Sequence, residues 1–131
     1  KVRGMKLTIN HLKGYLGTGL KVSIQSELYP NPEFIGCVRD VIYLNYHGSG
    51  LSMNIDKIKP LLHPLSSLTK YREDLGFVPI DEIKPSQHHL FFREDLEFPM
   101  DGLQYSEIKK LQQWHIDYQN LIGENLAIEI K

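Results

Sequence analysis

The stretch Phe34–Met53, FIGCVRDVIYLNYHGSGLSM, decides the fold class. Phe34-Ile35-Gly36-Cys37-Val38 and Val41-Ile42-Tyr43-Leu44-Asn45-Tyr46 are rich in the β-branched and aromatic residues that suit a pleated, half-buried surface. Only Arg39-Asp40 separates them, so they form either a tight hairpin or one long bent strand. His47-Gly48-Ser49-Gly50 is a turn by composition, and Leu51-Ser52-Met53 resumes the sheet. Working outward, Leu20-Lys21-Val22-Ser23-Ile24 alternates as a strand, its apolar side made of Leu20, Val22 and Ile24. The prolines of Tyr29-Pro30-Asn31-Pro32 interrupt any ladder between the two regions. On the other side, Asn54 can cap a single turn over Asp56-Lys57-Ile58, and Lys59-Pro60-Leu61-Leu62 is extended. Four or five short strands with a helical turn before the last predict a small, strongly bent β-barrel-like antiparallel sheet of the Src-homology type over residues 20–62.

The flanks add helices. Thr8 is placed to cap a short helix with Ile9, Leu12 and Leu16 on one face and Gly17 ending it. Near the other end, Ile108, Leu111, Trp114, His115, Tyr118, Leu121 and Ile122 fall at the spacing of one face of a long amphipathic helix, with Gly123 as its stop. Leu126-Ala127-Ile128-Glu129-Ile130 then alternates as a strand. Residues 63–104 read as a connector: a turn at Ser66–Thr69, a short helix or turn at Asp81–Ile83, a loop at Lys84–Gln87 and a strand at His89–Phe92. The expectation is one α+β domain, 1–131, with the sheet at 20–62, the connector at 63–104 and the helix and strand at 105–131. Met5 is the expected natural start, with no structural role for the four residues before it.

A chain of 131 residues is long enough for one core or two small lobes sharing one. Its 41% hydrophobic and 24% charged residues match a globular domain. The net charge of −1 favours neither a nucleic-acid binder nor a membrane-surface protein. Its distribution is uneven: residues 1–70 carry nine Lys/Arg against four acids, and residues 71–131 six against twelve. The two halves complement one another, or each faces a partner of opposite charge. The single Cys37 makes no internal disulfide and points to a reducing cytoplasm, and the apolar runs are too short to span a membrane.

Little chemistry is legible. His88 and His89 point to opposite faces of a strand, and His115 and Asp117 do not share a helix face. No metal-ligand spacing and no cofactor motif is present. Trp114-His115 reads as packing, the imidazole bonding a backbone carbonyl at the core edge. Cys37 reads as a small buried filler, since nothing near it in sequence lowers a thiol pKa. Two surfaces merit notice. Lys21, Arg39, Lys57 and Lys59, with Tyr29, Tyr43 and Tyr46, are the candidate nucleic-acid-binding set. Glu94, Asp95 and Glu97, like Glu73-Asp74, form acidic clusters without a partner base, suited to solvent or to a basic protein partner.

Met5–Thr8 followed by Gly19–Val22, then Ile58–Lys70, and finally Trp114–Asp117 with Leu121-Ile122 and Leu126–Ile130, resemble a family of small uncharacterised proteins of bacterial prophages and mobile elements. Residues 71–104 lie outside the resemblance. It implies no activity and no catalytic residue. It implies a phage or mobile-element accessory protein in the bacterial cytoplasm, of a kind that binds a host protein or ribonucleoprotein and includes inhibitors of host defence complexes such as CRISPR. The reading is therefore a non-enzymatic binding protein without a cofactor, with a nucleic-acid-binding small barrel as the alternative.

Overall fold

A computed structural model describes residues 6–92, 100 and 102–130. The architecture is α+β with two small three-stranded sheets. The first is an antiparallel meander of β2 (Glu33–Val38), β3 (Val41–Tyr46) and β4 (Ser49–Asn54). Arg39-Asp40 makes the tight hairpin between β2 and β3, and Val38 pairs with Val41. His47-Gly48 turns β3 into β4, both residues at positive φ (49° and 89°), the geometry that matches the right-handed twist of paired strands. A bulge at Ile35 shifts the β2 register, leaving that side chain about half exposed. Phe34, Ile42 and Leu44 face inward and are fully or almost fully buried, each contributing about 1.5–3 kcal/mol on burial.

The second sheet runs β1 (Val22–Ser23), β5 (Lys59–Leu62), β6 (Ile128–Glu129), with β1–β5 antiparallel and β5–β6 parallel. Asn54 Oδ1 accepts the Asp56 N–H at 3.1 Å and starts the helical turn Ile55–Lys57 that delivers β5. The two sheets touch through an isolated bridge between Lys21 and Glu33 and two flanking bonds, Val22 N–H to Pro32 O and Phe34 N–H to Leu20 O. The strands thus follow one ribbon, β6-β5-β1-β2-β3-β4. Neither sheet closes into the expected barrel: among the described residues the outer edge of β4 meets no other strand.

Thr8 begins α1 (Ile9–Leu12) as expected, its backbone N–H received by His11 Nδ1 at 3.0 Å in the place a glutamate takes in a capping box. The turn Lys13–Tyr15 then tightens. Tyr15, rather than Leu16, enters the core. Tyr15 is fully buried and donates its hydroxyl to Ile116 O at 2.8 Å, while Leu16 is exposed.

The C-terminal helix departs most from its sequence pattern. α3 covers Tyr105–Gln113 only. His115 takes a left-handed conformation (φ 57°), and the chain turns to lay Ile116 beside His63. His63 N–H donates to His115 O, and Asp117 N–H to His63 O, both at 2.8 Å. The buried Asp117 carboxylate then accepts the N–H groups of Leu121 and Ile122, each at 2.8 Å, organising a turn where the periodicity predicted helix. Tertiary bonds beyond Trp114 outcompete further helix, while the expected terminal strand forms as β6.

Residues 63–92 contain short helical pieces: 3₁₀ turns at Leu65–Thr69 and Pro79–Glu82, then α2 (Pro85–His88) and the turn His89–Phe91. The loop expected at 84–87 and the strand expected at 89–92 are thus helical, Pro85 supplying a first-turn residue with its φ already set. Their apolar side chains build a second core: Leu68, Ile83 and Phe91 pack with Leu111, Trp114 and Ile116 of the C-terminal segment. The first core gathers Leu12, Tyr15, Leu20, Val22, Phe34, Ile42, Leu44 and Leu62 with Leu121 and Ala127. Tyr118 packs against both.

Candidate functional site

A cleft of about 560 Å³ opens beside the seam of the two cores and is lined by His63, Ser67, Lys70, Tyr71, Arg72, Glu73, Asp74 and Glu129 among others. Its frame is the loop 72–77, closed by a bridge between Arg72 and Phe77 and by Gly76 at φ 83°, a conformation that costs glycine little. This turns the Arg72 side chain inward, where it is only 7% exposed. The guanidinium donates to Trp114 O and forks onto Asp74, Nε to Oδ1 at 3.1 Å and Nη2 to Oδ2 at 2.6 Å. That bond holds the Asp74 carboxyl below its usual range. Tyr71, 63% exposed, stands at the rim.

His63 and His115 lie behind this frame. Burial, reinforced by the Arg72 charge, lowers the His63 pKa. Burial also lowers that of His115, against the opposing pull of a 2.9 Å bond from Nε2–H to Thr18 O. Both are therefore neutral at pH 7, which lets two imidazoles and a guanidinium share one region without repulsion. The carbonyl bond is the role expected for His115 from the sequence.

The cleft carries no visible catalytic pairing. Ser67 Oγ donates to Pro64 O at 2.7 Å, so its proton is engaged by a carbonyl and not by an imidazole. Among the described residues no group of three His, Cys, Asp or Glu is placed to hold a metal ion.

The basic residues singled out from the sequence are partly brought together. The β1–β5 register sets Ser23 opposite Lys59, which places Lys21 and Lys59 on the same outward face of that sheet. Lys57 and Lys59 line a cleft of about 210 Å³ with Asp56 and Gln25. Lys59 also lines an adjoining cleft of about 160 Å³ with Lys6, which sequence reasoning did not include. Arg39 is elsewhere, at the tip of the β2–β3 hairpin (φ 55°), and lines neither cleft. Nor do the tyrosines join the lysines: Tyr29 packs edge-on to Tyr46 at 5.7 Å, and Tyr43 stands on the outer face of the meander opposite Gly36 and Ser52. Cys37 is half-buried against the first core.

Glu94, Asp95 and Glu97, the candidate partner-binding acids, lie outside the described residues. Asp74 is not the unpartnered surface acid its sequence context implies, because Arg72 holds it. Arg72 is not marked by the sequence. Residues 71–92 have no periodicity that marks a basic residue as buried, and the contacts that bury Arg72 come from Trp114, distant in sequence.

Comparison with family models, with curated proteins and with solved structures finds no match to this chain.

Proposed function

We propose that this chain is a non-enzymatic binding protein and that a segment of a partner protein docks in the cleft between His63 and Asp74. The make-up of that cleft is the observation that carries the reading. An exposed Tyr71 lines the cleft next to a buried arginine held by Asp74 and the Trp114 carbonyl, with Lys70, Glu73 and Glu129 of both signs around it. Tyrosine and arginine concentrate the energy of protein interfaces, and mixed charge at a rim sets partner choice. Among the described residues no buried side-chain polar atom lacks a hydrogen-bond partner, so the frame is preorganised rather than waiting for a ligand to complete it.

The partner class we propose is a host protein in the bacterial cytoplasm, a component of a defence complex such as a CRISPR ribonucleoprotein; this part rests on the resemblance to prophage and mobile-element proteins. Affinity capture from bacterial lysate tests the reading. The wild type is expected to retain a stoichiometric protein that Tyr71→Ala and Glu73→Lys both lose while keeping the wild-type circular dichroism. A blank capture, or a partner that both variants retain, counts against it.

The adjoining clefts at Lys59 favour a second reading, a nucleic-acid-binding sheet that uses Lys6, Lys21, Lys57 and Lys59. The ribbon order and the helical turn before β5 support treating it as an opened barrel of the Src-homology type. Binding to single-stranded DNA or RNA should then weaken steeply with salt and lose slope in Lys57→Gln/Lys59→Gln. Binding insensitive to salt removes this reading.

A further inference from the structure

The ribbon of strands has two ends that differ. At one, β6 is two residues long and carries Glu129, a short and charged edge of the kind that discourages pairing with another chain. At the other, β4 is six residues long, Ser49-Gly50-Leu51-Ser52-Met53-Asn54, with no charge and no proline. The meander register fixes which of its backbone groups are free. Tyr46 and Ser49 flank a two-residue turn and bond to each other, so Ser49, Leu51 and Met53 bond to β3. The Ile55 N–H to Asp40 O bond of 2.7 Å continues that alternation. Gly50 and Ser52 therefore direct both N–H and C=O to the open side, and Asn54 its N–H, while the Asn54 C=O, at the cap of the turn Ile55–Lys57, takes the first bond of that turn; among the described residues no other strand pairs with this edge.

We infer that the β4 edge pairs with the β4 edge of a second copy of this chain, antiparallel and centred on Ser52, to give a continuous six-stranded sheet from the two meanders. A strand that meets itself about a two-fold axis presents the same residues from both sides, so like charges there would repel; β4 has none. With a net charge of −1 the whole molecule also lacks long-range self-repulsion. The register centred on Ser52 sets Gly50 opposite the partner's Asn54, engaging both backbone groups of Ser52, the Gly50 C=O and the Asn54 N–H on both chains. The same register sets Leu51 beside the partner's Met53. Both are half-buried in the monomer, and the pairing covers the remainder of each. On the outer face, Tyr43 of each copy extends the row through Ser52 toward the other copy.

Analytical ultracentrifugation of the full chain, from about 1 µM to about 1 mM, tests this with three variants. The wild type is expected to show a reversible monomer–dimer equilibrium. Ser52→Lys sets two charges opposite each other and should raise the dimer Kd by at least about tenfold. Ser52→Pro removes only an outward N–H, so it should do the same without breaking the β3–β4 ladder. Ser52→Cys, in a Cys37→Ser background, should oxidise to a disulfide-linked dimer, because bonded antiparallel pairs hold their Cα atoms about 5.5 Å apart. Should Ser52→Pro fail to fold, Ser52→Lys and Ser52→Cys decide. A wild type that stays monomeric over the whole range overturns the inference. So does a dimer whose Kd Ser52→Lys leaves unchanged and that Ser52→Cys fails to cross-link.

Discussion

The two cores are built on different principles. The sheet core rests on ladders between neighbouring strands, where alternation alone directs Phe34, Ile42 and Leu44 inward. The second core has no sheet of its own. Its 3₁₀ turns and single helical turns satisfy few backbone groups internally, and separate polar ties hold them to the C-terminal segment. Arg72 donates to Trp114 O, Lys110 Nζ donates to Glu82 O at 2.6 Å, and the Gln104 N–H donates to Gln87 Oε1 at 2.9 Å. The contrast teaches that a core can be assembled from segments without regular patterning, provided one large side chain is placed for them to surround. Here that side chain is Trp114, edge-on to Phe77 at 5.7 Å.

The comparison is sharpest at Trp114 itself. Trp114→Ala should cost about 3–5 kcal/mol and lower the melting temperature by roughly 10–20 °C. Hydrogen exchange tells whether the two cores unfold together. Loss of protection in both Leu44 and Leu111 amides is expected, because Tyr15 and Tyr118 tie the two. Protection that survives unchanged in the sheet would show the second core to be an independent unit.

Arg72→Met removes the tie while keeping the volume of the side-chain stem. It leaves the buried Trp114 carbonyl without its donor, a loss of about 1–3 kcal/mol. A melting temperature equal to wild type would mean that packing alone holds the second core. The matched change in the first core is Asp117→Leu, which strips the acceptor from two backbone N–H groups; a comparable loss is expected, read by the same thermal melt.

The seam should respond to pH. The pKa values of His63 and His115 are held below the usual 6.5 in the folded protein. Above 6.5 both are neutral in either state, and the fold incurs no cost. As pH falls through 6.5 the unfolded chain takes up protons first, so stability declines progressively toward the lower folded-state values. The midpoint of urea unfolding is expected to drop between pH 7.5 and 5, with a shallower slope in His63→Gln/His115→Gln. An identical slope in that double variant would place the sensitivity elsewhere, for instance at His11, whose pKa burial also lowers.

The smallest effect concerns the point where the N-terminal turn meets α3. A Cβ on Gly14 would collide with the Gln112 side-chain amide. Gly14→Ala must therefore displace that amide and its 2.9 Å bond to the Tyr118 hydroxyl, a loss of about 1 kcal/mol. A stabilised variant would show that the amide has room to move and that the junction is looser than its distances.

The sequence by itself determined the strands of the meander, the turn at His47-Gly48, the Asn54 cap and a terminal strand within 126–130, which follow from residue type and short-range alternation acting over a few neighbours; at Arg39-Asp40 it left a hairpin and a long bent strand open, and the structure chose the hairpin. It also placed His115 against a carbonyl, and it marked Lys57 and Lys59 as neighbours. Tertiary structure alone decided where α3 stops, because the bonds that end it join His63 to His115 and Asp117, about fifty residues apart in sequence. It alone buried Arg72 against Trp114, and it left the ribbon open instead of closed. These outcomes depend on pairing between segments whose local patterns are compatible with several partners. The free-energy differences that choose among them arise only once distant groups are desolvated together.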